Sequence, residues 1–161
     1  MPDSPSGFIL LYYMTKRVFV AINLPPEIKK SLERTLDKIK PIFGPEARFL
    51  SLDNWHLTLE FLAYQDDDSV SRIAQALEAA SQKFPQPEVS FEKIVYGPVG
   101  KTPRMIWLTG SKETSAELNK IRDALEEELH RQGVRFRQEH RAFQAHLTLA
   151  RFEETIKGAL P

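Results

Sequence analysis

The chain has 161 residues, 42% of them hydrophobic, which suffices for one buried core and is too short for two ordinary domains. Its 22 basic and 22 acidic residues cancel, which excludes a protein that coats nucleic acid through bulk positive charge and leaves a small or terminal phosphate, held by local cations, as a feasible ligand. Cysteine is absent, so disulfides, thiolate catalysis and cysteine-based zinc sites are excluded; a reducing cytoplasm is compatible and is the expected compartment.

The apolar stretch Gly7 to Tyr13 is far shorter than the ~20 residues that span a bilayer and has no basic leader before it, so neither a membrane segment nor a signal peptide is expected. Met14 stands directly before the first strand pattern, and residues 1–13 are expected to be a disordered leader. Val18, Val20 and Ile22 alternate with Phe19 and Ala21 in a β-rich run that Pro25-Pro26 stops. Pro26 suits a first helical turn, and Ile28, Leu32, Leu36 and Ile39 follow at helical spacing until Pro41. Arg48 to Leu50 predicts a short strand and Trp55 to Leu62 a clear one.

The run Asp66-Asp67-Asp68-Ser69 supplies a cap and acidic first turn to a helix whose apolar face is Val70, Ile73, Ala74, Leu77 and Ala80. Val89 to Val95 predicts a strand ending at Gly97-Pro98, with Met105 to Leu108 as its partner. Ser111 to Gly133 is the longest helix pattern: Leu118, Ile121, Leu125 and Leu129 line one side, and Glu126 to Glu128 read as a solvated face. Val134 to Arg137 and Phe143 to Arg151 are the last predicted strands. Each half then supplies a similar set of elements, which suggests a duplicated α+β lobe.

One tetrapeptide occurs twice, His56-Leu57-Thr58-Leu59 and His146-Leu147-Thr148-Leu149. On a strand, each copy turns His and Thr to one face and the two Leu to the other. Two imidazoles with ordinary pKa near ~6.5 can supply one base and one acid close to neutral pH. Thr58 and Thr148 offer neutral donors on the same faces, suited to non-bridging phosphate oxygens, although both residues are also simply good strand formers. No His-x-His or His-Glu-x-x-His spacing suggests a metal, and no cofactor is implied. The fifth residue after each His differs, Phe61 in one copy and Arg151 in the other. Strand parity alone turns that position away from the His, so a bulge or strand end has to intervene.

These motifs, with Arg17 to Pro25 before them and Pro103 to Leu108 between them, resemble the 2H phosphoesterases, in particular the RNA 2′,3′-cyclic phosphodiesterase or 2′-5′ RNA ligase branch. The similarity runs roughly from Lys16 to Phe152. It implies an α+β fold of two similar lobes, with antiparallel sheets lining a central cleft and helices packed outside. It also implies a single bilobal domain over residues 14–161 that lacks the family's final C-terminal strand, and it departs from the family pattern at Ala63, where a Gly is usual.

The implied activity is metal-independent hydrolysis of RNA or nucleoside 2′,3′-cyclic phosphate to a 2′-phosphate, with weak 2′-5′ ligation by reversal. His56 and His146 would be the acid/base pair, with Thr58, Thr148 and Arg151 binding phosphate and Phe61 stacking on a base. Two alternatives stay open: an RNA-end binding module with little turnover, and a 2H enzyme acting on another phosphodiester such as a 2′-5′ oligonucleotide. Phe61 reads equally as a core residue, and Arg151 as an exposed strand-end charge. RNA ends or small cyclic nucleotides are the expected partners of a monomer, with no membrane contact. His130, near a helix end, and His140, in a charged loop, are set aside from the chemistry.

Overall fold

A computed structural model describes residues 15–153, so the predicted leader and the chain end lie outside the described residues. The first strand, β1 (Lys16–Asn23), runs into Pro25-Pro26 and helix α1 (Pro26–Ile39), whose first position is the proline that the sequence places there. Pro41 does not end the chain's turning at once: Lys40–Phe43 continues as a 3₁₀ turn. Strand β2 (Arg48–Phe49) and a second 3₁₀ turn at Leu52–Asn54 lead to β3 (His56–Gln65).

Helix α2 (Asp67–Ser81) is capped as predicted, with the Asp66 carboxylate accepting the Ser69 N–H at 2.7 Å. Strands β4 (Phe91–Gly97) and β5 (Met105–Gly110) form a hairpin. Helix α3 (Lys112–Arg131) has Ser111 as its N-cap, bonded to the Thr114 N–H at 3.0 Å, and Gly133 takes a φ of +69° just past its end. The last described strand is β6 (His146–Arg151).

The six strands of the described residues join one antiparallel sheet in the order β1-β3-β6-β5-β4, with β2 beside the far end of β6. The two halves meet at the β3–β6 pairing, where Leu57 is the register partner of Leu147. Both leucines are fully buried, in a core that includes Leu62, Ile106, Leu118 and Leu125. Helices α2 and α3 pack on each other, and α3 lies against β3 and β5. The architecture is therefore α+β, with the strands of the two halves joined in one sheet through Leu57 and Leu147.

Two strand expectations fail for identifiable reasons. Val134 to Arg137 forms no strand, because the Val134 N–H closes α3 onto the Leu129 carbonyl at 2.9 Å and the Arg135 carbonyl accepts the Gln65 side-chain amide at 2.8 Å. Phe143 to Ala145 likewise precedes β6 outside a ladder: the Ala145 N–H donates to Ser115 Oγ at 3.1 Å and the Phe143 ring lies 5.2 Å from the Arg122 guanidinium. In the acidic run on α3 only Glu127 is solvent-exposed. Glu128 is buried and accepts Lys83 at 2.7 Å and Arg131 at 2.6 Å, while Glu126 is buried beside Arg122 and Gln138. Ala63, at the position where the resemblance leads one to expect Gly, has a φ of +54°, the left-handed region in which a Cβ is unfavourable.

Candidate active site

The repeated tetrapeptides lie side by side. From each histidine onward, six residues share one burial sequence: half-buried, buried, half-buried, buried, buried, exposed. With Leu57 opposite Leu147, this antiparallel register sets Thr148 across from His56 and Thr58 across from His146. Both histidines and both threonines therefore share the face opposite the buried Leu57 and Leu147. Standard sheet spacing separates the two histidine Cα atoms by about 8 Å, room for a phosphate between the rings.

The parity difficulty at the fifth residue has a structural answer that is the same in both copies. In the β1–β3 ladder Ala21 pairs with Thr58 but Val20 pairs with Glu60, so Leu59 is an extra residue. In the β5–β6 ladder Trp107 pairs with Thr148 and Ile106 with Ala150, so Leu149 is extra. Each bulge reverses the alternation and turns Phe61 and Arg151 outward on the histidine face. Phe61 is 59% exposed, which removes the core-residue reading. Arg151 is exposed and contributes positive potential at His56.

Each imidazole is held in a similar way. The His146 Nδ1–H donates to the Gln144 carbonyl at 2.9 Å, a tautomer assigned from the bonding pattern that leaves Nε2 for the cleft. Asn54, the equivalent residue two before His56, contributes a backbone hydrogen bond to that ring. Each ring is also covered by an aromatic from the strand outside it: Phe19 of β1 stacks on His56 at 4.9 Å between centroids, and Trp107 of β5 on His146 at 3.8 Å. Burial pushes both imidazoles below their ordinary pKa. Lys29 and Arg151 add to this at His56, and Arg141 does so at His146.

A cleft of about 300 Å³ opens from Thr58 and His146 between Phe61, Val99, Trp107, Arg122, Arg141 and Phe143. Beneath it, Glu60 is 4% exposed beside Glu126 and Arg122, and its pKa is raised to about 7, by burial first and by Glu126 second. A raised carboxyl pKa means that the folded state holds an extra proton between pH 4.5 and about 7 and loses that stabilisation as pH rises through the window. Glu60→Gln, which copies the neutral form, is expected to be about 2 kcal/mol more stable than wild type at pH 8 and nearly equal to it at pH 4. Thermal melts at the two pH values test this; the same difference at both would refute the protonated carboxyl.

Sequence reasoning did not identify Phe19, Lys29, Trp107, Arg122 or Arg141 as neighbours of the histidines. Phe19 carried a usable signal, since it has the opposite strand parity to the buried Val20; the others are placed by long-range packing. Among the described residues, no three His, Asp or Glu side chains cluster as a metal site, and no helix is long and apolar enough to cross a membrane.

Comparison with known proteins follows this geometry. The LigT-like phosphoesterase family model matches residues 22–107, which include the first His-x-Thr strand. The RNA 2′,3′-cyclic phosphodiesterase of Thermotoga maritima is 32% identical over 136 residues, 84% of this chain and 69% of that protein. Escherichia coli LigT in complex with 3′-AMP superposes with a TM-score of 0.60 at 28% identity, over 92% of this chain and 80% of LigT. A second solved phosphoesterase superposes with a TM-score of 0.63 at 28% identity and the same coverage. Paired His-x-Thr strands in one antiparallel sheet, a matching family model and these relatives agree: the chain belongs to the LigT-like phosphoesterases of the 2H superfamily.

Proposed function

We propose that this protein hydrolyses RNA or nucleoside 2′,3′-cyclic phosphates to 2′-phosphates, acting as a monomer with His56 as general acid and His146 as general base. The observation that supports the proposal is the register of the two motif strands, which sets both imidazoles on one sheet face, with their Cα atoms about 8 Å apart by standard sheet spacing. The base takes a proton from water as its oxygen attacks phosphorus. The phosphorus–O3′ bond breaks, the acid protonates the departing O3′, and the phosphate stays on O2′. A 5′-hydroxyl in place of water gives a 2′-5′ linkage by the same pair. His146 suits the base role, because its Nδ1 is committed to Gln144 and burial favours the neutral ring.

His56 suits the acid role once substrate is bound. Lys29 and Arg151 disfavour its imidazolium in the free enzyme, and a bound phosphate anion offsets both cations. Thr58, Thr148 and Arg151 bind the non-bridging oxygens, and Phe61 stacks on the base. The name of the Thermotoga maritima relative and the 3′-AMP complex of LigT support this substrate class.

The test is incubation with a nucleoside 2′,3′-cyclic phosphate and with an RNA ending in one, with and without EDTA. A 2′-phosphate product formed at the same rate with chelator is expected. A 3′-phosphate product would reverse the leaving group, chelator sensitivity would bring a metal into the mechanism, and tight binding without turnover would make the chain an RNA-end binding module.

A further inference from the structure

We propose that Trp107, held against the backbone of Gly97, is the positioning residue that fixes the plane of the His146 imidazole. The inference rests on the proposed acid/base role of His146 for its kinetic consequence, and on the geometry alone for its effect on the ring. Strands β4 and β6 flank β5, so Gly97 and His146 approach the Trp107 indole from opposite neighbours. On the β6 side the indole and imidazole are nearly parallel, 22° between planes and 3.8 Å between centroids. On the β4 side the indole is so close that a Cβ on Gly97 would lie 2.2 Å from Cδ2 and 2.4 Å from Cε2. Real Cβ contacts are never that short, and a rigid bicyclic ring cannot yield as a flexible chain end would. The indole is thus set by Gly97, and it sets the imidazole.

The side chain's own chemistry points the same way. Trp107 is 9% exposed, and its Nε1–H is buried without a hydrogen-bond partner. An unsatisfied buried donor is costly, and a Leu at this core-edge position would avoid that cost. What the indole supplies and an aliphatic cannot is a flat face as broad as the imidazole. A flat cover leaves the ring no room to rotate about its Cβ, so Nε2 keeps its aim while Nδ1 remains on Gln144.

Removing the cover lets water reach the ring. The π face by itself favours an imidazolium, but burial is the largest influence on His146 and acts in the opposite sense, so its removal moves the titration upward. The other charged groups facing this cleft are Arg141 and Glu139, which pair with each other, with Arg122 from α3 and Glu60 from β3. None of them changes when Trp107 is replaced.

The experiment uses Trp107→Leu, Trp107→Phe and Gly97→Ala, with two readouts. The first is the pH titration of the His146 ring by NMR, assigned against single variants of the four histidines; it needs no substrate. The second is kcat and KM for a nucleoside 2′,3′-cyclic phosphate. For Trp107→Leu the titration midpoint should move up toward ~6.5 and kcat should fall at least about tenfold with KM within about twofold, because only the aim of the base is disturbed. Trp107→Phe should restore most of both. Gly97→Ala should reproduce the loss by displacing the indole, and it should add nothing to Trp107→Leu, where no indole remains to displace.

A folded Trp107→Leu protein with a wild-type titration or unchanged kcat overturns the proposal, as does a Gly97→Ala loss that multiplies in full with that of Trp107→Leu. If Trp107→Leu does not fold, Gly97→Ala and Trp107→Phe decide by the same titration. A midpoint that moves in a protein with no cyclic phosphodiesterase activity supports the positioning role and overturns only the proposed substrate.

Discussion

His56→Ala and His146→Ala are each expected to lower kcat for a 2′,3′-cyclic phosphate by about 10³-fold while leaving the melting temperature nearly unchanged. The magnitude is that of losing one general acid or base in the transition state. Both side chains are half-buried on the sheet surface rather than in the core, so their truncation leaves no large cavity. The double variant should be little worse than either single one, since an acid without its base has almost nothing to add.

The pH profile carries a second part of the same prediction. Under the proposed two-histidine mechanism, productive enzyme needs one neutral and one protonated imidazole, and burial holds both rings below their ordinary pKa. The optimum of kcat/KM should therefore lie at or below pH ~6.5, with the acid role lost as pH rises above it. If phosphate binds beside His56 as proposed, its charge favours the imidazolium, so the alkaline limb of kcat should lie at higher pH than that of kcat/KM. Near-normal turnover by either alanine variant would eliminate the two-histidine mechanism.

Leu57→Ala and Leu147→Ala carry the largest expected effect on stability, about 3 kcal/mol each, because each deletes a fully buried side chain from a packed core. The two positions are register partners where β3 meets β6, so their effects should be non-additive by roughly 0.5–3 kcal/mol. Activity should suffer below the unfolding transition as well. The same pairing sets the distance between the imidazoles, and a displacement of about 1 Å in such a site costs on the order of 10²-fold. Denaturant titration of the single and double variants, with kcat measured in the absence of denaturant, tests both parts. A loss under about 1 kcal/mol with unchanged kcat would show that the two halves are joined elsewhere.

Much of the α+β fold and the identity of the candidate residues were legible in the chain itself. Caps at Asp66 and Ser111, prolines at Pro25-Pro26 and alternation in the motif strands are local signals, and local signals survive into the fold because each satisfies backbone groups within a few residues. Val134 to Arg137 was illegible for the converse reason: its β-like composition is overruled by Gln65, seventy residues earlier, and by the closing turn of α3. Glu126 and Glu128 followed a solvated-face pattern whose burial depends on Lys83 and Glu60 from other segments, together with Arg122 of the same helix.

The repeated His-Leu-Thr-Leu by itself determined which groups are offered, two imidazoles and two hydroxyls on one face of a strand. Only the tertiary structure decided that the strands are neighbours in register, that a bulge in each copy brings Phe61 and Arg151 to the same face, and that Phe19 and Trp107 cover the two rings. Side-chain alternation is a property of one strand and can be read along it. Register, bulges and cross-strand stacking are properties of pairs, and they depend on which strand the chain folds back against.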